Sequence, residues 1–174
     1  MIPAVAQTLA EILAGGNFLS STEQIDFNPP LQKPNRGSGL NLYCYDLREN
    51  KEIQGASDNR GSPIWFDISF LVSAWDSTAL GEQHLLSEAL ALLLCHPTLP
   101  EEMLVPVLRG CGALPMRVSA DGAMDVVALW RALGVPLRPA LYVTVTIPFH
   151  RQSRSSLARH EMWLAPKLSP VENC

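Results

Sequence analysis

The run Val126–Phe149, VVALWRALGVPLRPALYVTVTIPF, constrains the fold of this chain more than any other stretch. Val126, Leu129, Trp130 and Leu133 fall at i, i+3, i+4 and i+7, the apolar stripe of a helix packed on a core. Asp125 stands where its carboxylate can accept from the orphan N–H groups of the first turn. Gly134 follows the last stripe residue, where a left-handed stop costs glycine little, and Pro136 prevents continuation. Leu141, Val143, Val145, Ile147 and Phe149 then alternate with Tyr142, Thr144 and Thr146. Period two with many β-branched residues predicts a strand that ends at Pro148, which lacks a ladder donor. Nothing in this run is catalytic.

The other elements read less sharply. Ile2, Val5, Leu9, Ile12 and Leu13 predict a short first helix, with Pro3 in its opening turn and Gly15-Gly16 closing it. Glu23–Phe27 reads as a strand, and residues 28–39, NPPLQKPNRGSG, as a loop. In residues 40–47, LNLYCYDL, Tyr43 and Tyr45 share one face and Leu40, Leu42 and Cys44 the other. Both faces are largely apolar, which predicts a strand buried on both sides or covered by a partner. Arg48–Pro63 is polar and reads as an exposed loop. Ile64–Ser73 alternates cleanly, with Ile64, Phe66, Ile68, Phe70 and Val72 on one face. A long helix is expected from about Thr78 to Cys95, stopped by Pro97 and Pro100, and its second half, ALALLLC, is apolar all round. A short helical turn and a strand at Leu114–Val118 precede the opening run. The order predicts an α/β (α+β) chain: a single mixed, largely antiparallel sheet with about three helices packed on it.

At 174 residues the chain fits one domain with a sizeable core. Charge is uneven. Residues 1–149 carry 9 Lys and Arg against 15 Asp and Glu, a net of −6, whereas residues 150–174 carry 4 against 2, a net of +2. An acidic body lacks the basic footprint of a nucleic-acid binder. The N-terminal stretch has no positive leader and carries Glu11, unlike a secretory signal. The longest apolar run, Ala89–Cys95, is far too short to cross a bilayer. Cys44, Cys95, Cys111 and Cys174 form no CxxC pair, the usage of reduced thiols in a cytosolic protein.

Chemical motifs are missing where they would count. Cys95-His96 lies at a helix stop, where neighbours in sequence rarely turn an imidazole onto the adjacent sulfur, so a structural cysteine is the better reading. His84, His96, His150 and His160 have no HExxH spacing, and no metal site or cofactor is expected. Asp67 falls opposite the apolar stripe and reads as a solvated or interfacial carboxylate rather than a general base. Gly110-Cys111-Gly112 is a turn, no GxSxG elbow occurs, and no glycine-rich loop joins a strand to a helix.

Trp130, Trp65 and Trp75 read as core residues. Met162-Trp163-Leu164 differs, being an apolar triplet inside a polar, basic tail that also carries Arg151, Arg154 and Arg159. Such an anchor suits docking on a neighbouring surface, or folding back on its own domain.

Taken in succession, LNLYCYDLREN, PIWFDISFLVSAW, EQHLLSEALALLLCHPTL and LWRALGVPLRPALYVTVTIPF resemble the tail-cap, or tail-terminator, proteins of phage-tail-like extracellular contractile injection systems. The resemblance covers roughly residues 2–149. It implies a terminator domain over 1–149, followed by a basic tail, 150–174, that is partly flexible or docked on a neighbour. It also implies a structural, non-enzymatic role: a hexameric ring at the baseplate-distal end that ends the inner tube, contacts the last sheath layer and assembles in the cytoplasm. Implied partners are further copies of the chain, the inner tube protein and the sheath protein, with no nucleic acid and no membrane insertion. A ring needs unlike surfaces on each subunit. Candidate interface residues are Tyr43, Tyr45, Leu92, Leu93, Arg151, Arg154 and Trp163. The element Arg48–Pro63 departs from the family pattern, since Arg48-Glu49-Asn50 and Asp58-Asn59-Arg60 match it only approximately. Rival readings are a baseplate or tube-completion adaptor and a cytosolic hydrolase using Cys95 or Cys111. A small-ligand binding module has no supporting motif.

Overall fold

The computed structural model describes residues 1–31, 37–53, 63–119 and 125–150. Helix α1 (Ile2–Ala14) starts with proline in its first turn and lays Val5, Leu9, Ile12 and Leu13 into the core. After a 3-10 turn at Thr22–Gln24, strand β1 is only Ile25–Asp26, shorter than the expected Glu23–Phe27. Strand β2 (Gly39–Glu49) runs two residues past the expected end, so the connection to β3 begins at Asn50. Its inner half, Gly39–Leu42, is buried, and its outer half opens progressively to solvent. Strand β3 (Ile64–Trp75) leads through Asp76 to helix α2 (Ala79–Leu94), where the Thr78 hydroxyl accepts from Gly81 N–H at 3.0 Å. A short β4 (Thr98–Leu99), unforeseen in sequence, pairs with β5 (Leu114–Ser119).

The opening run folds as read except at its end, where the strand continues through Pro148 to Phe149. Helix α3 (Val126–Leu133) is capped by Asp125, whose Oδ1 accepts from Val127 N–H at 2.9 Å and Ala128 N–H at 3.4 Å. Gly134 stops it at φ 70°, a conformation that glycine adopts without a Cβ penalty. Strand β6 (Leu141–Phe149) passes through Pro148, which lies opposite Trp65. The register of β5 with β6 ends at Val145, so no strand on that side demands the donor proline lacks.

The six strands lie in the order β1-β2-β3-β6-β5-β4, with β1 parallel to β2 and the other neighbours antiparallel. Period-two alternation gives the sheet two unlike faces. Leu40, Leu42, Ile68, Phe70, Val72, Val143, Val145 and Ile147 face α1 and α2 and form the main core. Leu71 and Tyr142 face the other way, where α3 lays Leu129 and Trp130 on them. Beyond the reach of α3 this second face turns polar. There Asp67 does not stand free in solvent: it accepts from Thr146 Oγ1 at 2.6 Å and from Asn50 Nδ2 at 3.0 and 3.1 Å, tying β6 and the end of β2 to β3. Ser69 and Thr144 share a hydroxyl contact at 3.2 Å beside it.

Candidate assembly surfaces

Strand β2 is where the sheet is least complete. β1 pairs with it only at Leu40 and Asn41, so from Tyr43 onward no strand flanks its outer side among the described residues. An open edge invites pairing, and two features here blunt it. The register slips between Cys44 and Asp46, making Tyr45 a bulge, and Arg48 Nε meets Asp46 Oδ2 at 2.6 Å. Both tyrosines lie half-buried on the α3 side, packed against the Trp130 cluster. Tyr45 sits edge-on to Tyr142 with ring centroids 6.4 Å apart. Burial lifts the Tyr45 phenol above its ordinary range, partly countered by a hydrogen bond with Ser69. Each ring therefore keeps only part of its surface for a partner.

Helix α2 divides its leucines between inside and outside. Leu85, Leu86, Ala89 and Leu93 are buried against the sheet. Leu93 is 1% exposed, so it belongs to the subunit interior and offers nothing outward. Leu92 is half-buried and lines a shallow apolar groove of about 220 Å³ with Ile12, His96 and Met103. The outward leucines are Leu80 and Leu94, 76% and 61% exposed. An apolar residue on the solvent side of a helix was the signal available in sequence, but a helix that is apolar all round does not say which leucines face in.

A second apolar cleft, of about 320 Å³, forms where Pro30 and Leu31 approach Trp75 and the segment Val135–Arg138. The Arg138 guanidinium lies 3.8 Å from the centroid of the Trp75 ring, and its Nη2 meets Glu82 Oε1 at 2.7 Å. One arginine thus fastens the loop before β6 to the end of β3 and the start of α2. Leu31 and Leu137 stay exposed at the rim. No local pattern pairs residues this far apart in sequence, and reading the sequence missed the cleft.

The nucleophile candidates do not assemble into a catalytic pair. Cys95 caps α2 with an exposed thiol, not the buried one expected of a structural cysteine. The His96 ring engages the Leu92 carbonyl through Nδ1 at 2.9 Å, rather than its neighbour's sulfur. Cys111 is half-buried between Gly110 and Gly112, both at positive φ. Burial, and then the negative charge of Glu101, push its thiol up, which depletes the reactive thiolate. Among the described residues no group of three or more His, Cys, Asp or Glu could hold a metal, and no helix is long and apolar enough to cross a membrane. Arg151, Arg154 and Trp163 lie outside the described residues.

The sequence model of the Pvc16 N-terminal domain family matches residues 4–159. The chain belongs to this family. The match runs past the last residue of β6 and stops before Met162. Two solved structures share the fold. One is the PVC sheath/tube terminator of an extracellular contractile injection system in the extended state, with TM-score 0.63 and 19% identity. The alignment covers 88% of this chain and 57% of that one. The other is the tube-terminating cap of the anti-feeding prophage, with TM-score 0.59 and 15% identity, covering 98% of this chain and 58% of that one. The Pvc16-family chain thus spans under two thirds of the length of each. No curated protein matches it.

Proposed function

We propose that this chain is a structural cap of a contractile injection particle. It forms a ring, sixfold as the resemblance implies, at the end far from the baseplate. There it sits on the last layer of the inner tube, ends tube growth and holds the last sheath layer. The observation that carries this reading is the family match over residues 4–159, and the likeness of the fold to two caps supports it. The surfaces suit the task. A cyclic ring needs two unlike patches on each subunit, and a cap needs different upper and lower faces. Apolar positions point outward from several sides: Leu80 and Leu94 on α2, Leu31 and Leu137 at the cleft, and Val107 in the loop after β4. Leu92 adds to the α2 side, and Tyr43 and Tyr45 to the open edge of β2. The role is one of contact, without catalysis, and the particle is assembled in the cytoplasm.

Locating the protein on isolated particles tests this reading. A gold-labelled copy seen by electron microscopy at the baseplate-distal tip supports the cap. Label at the baseplate, or at the tube–baseplate junction, overturns it in favour of an adaptor.

A further inference from the structure

We propose that the apolar end of the sheet, formed by Phe66, Phe149 and Leu47, is the docking site for the chain's own triplet Met162-Trp163-Leu164. Docking of the triplet is independent of the capping role, since it covers a surface of the subunit's own sheet.

The receiving patch lies on the α1/α2 side of the sheet, past the point where the core is covered. The Phe66 and Phe149 rings meet edge-on with centroids 6.0 Å apart, and Phe149 is still 45% exposed. Leu47 pairs with Ile68, which puts it on the same face and diagonal to Phe66, and it is 47% exposed. The bulge at Tyr45 is what brings it there. Without the extra residue, Leu47 would alternate onto the opposite face. Ile64, opposite Phe149, extends the patch. Two phenylalanine rings in contact, with Leu47 diagonal to one of them on the same face, make more than scattered surface apolar residues.

What covers the patch follows from where the chain goes next. β6 ends at Phe149, so the chain leaves from the patch itself, and residues 150–161 separate it from the triplet. A random chain of that length has a root-mean-square span of about 19 Å, while Leu47 lies two strand spacings across and four residues along from Phe149, about 16 Å. Tethering at that range corresponds to an effective concentration of order millimolar, far above the concentration of another copy free in solution. Charge agrees. Glu49 pairs with Phe66, stands exposed on the same face, and would meet Arg154 or Arg159 of the basic tail. The rival cleft near Leu31 and Leu137 lies at the other end of β6, about 27 Å from the exit, and Arg138 lines it. An indole buries about 150–250 Å², enough to cover the exposed parts of both phenylalanine rings.

The test places the photo-reactive residue p-benzoyl-phenylalanine at position 163 of the full chain and maps the cross-links by mass spectrometry in a mixture of isotopically heavy and light protein. The expected result is cross-links within one chain to peptides containing Leu47, Phe66 or Phe149. Leu47→Ser and Phe149→Ser, both at exposed positions, should each lower that yield by about tenfold, as loss of an apolar contact implies. Cross-links to the Leu31–Leu137 cleft, a heavy–light share of cross-links equal to that of random pairing between chains, or yields unchanged by both substitutions overturn the proposal.

Discussion

Trp130 donates its indole N–H to the Tyr142 hydroxyl at 3.3 Å, joining α3 to β6 inside the smaller core. The two residues are 1% and 7% exposed, so solvent cannot readily replace this partner. Tyr142→Phe keeps the ring against Tyr45 but strands the buried N–H. The expected loss is about 1–3 kcal/mol of unfolding free energy, measured by denaturant titration. No measurable loss would mean that the indole finds another acceptor.

Gly39 opens β2 where β1 comes alongside. A Cβ there would collide with the Gln24 carbonyl oxygen, a backbone atom that cannot rotate away. Gly39→Ala is therefore expected to cost about 1–3 kcal/mol, in the range of overpacked core sites. Amide exchange should quicken across residues 22–26, the segment that must shift. Unchanged stability and exchange would show that β1 slides without cost.

The ends of α3 give a graded pair. Asp125→Ala removes the cap to Val127 and Ala128 and should cost about 1 kcal/mol. Gly134→Ala places a Cβ at φ 70° and should cost about 1–2 kcal/mol, the ordinary left-handed penalty. Thermal unfolding of both variants checks the values, and a stabilised Gly134→Ala would contradict the assignment of that stop.

The thiols should react in an order set by burial. At neutral pH a disulfide reagent is expected to modify Cys95 quickly and Cys44 and Cys111 slowly, since desolvation raises both of the latter. The sign for stability is fixed by the same shifts. A thiol whose folded pKa is raised favours the folded state while protonated. That contribution is present below the unfolded value of 9.0 and is lost as pH climbs past it. Labelling of Cys111 as fast as that of Cys95 at neutral pH would contradict this order.

The run from Val126 to Phe149 was legible because cap, stripe, stop and alternation all point one way. The same clarity extended to α1 and β3. Other features were hidden because their causes are not local. β1 is a strand only because Gly39 lets the chain come close, and β4 exists only because β5 lies beside it. The bulge at Tyr45 cannot be inferred from a stretch apolar on both faces. Which α2 leucines face outward depends on where the sheet lies. Leu93 therefore read as surface although it is core, while Leu80 and Leu94 went unmarked. The residues proposed to touch partners were the least legible of all, since a contact surface is shaped by a partner that the sequence does not contain.

Deleting the gene and measuring the particles tests the capping role most directly. A capping role predicts tubes of uncontrolled length, or tubes that have lost their sheath at the baseplate-distal end, with normal particles restored by the full chain. Particles of wild-type length with firmly attached sheath in the deletion would contradict it.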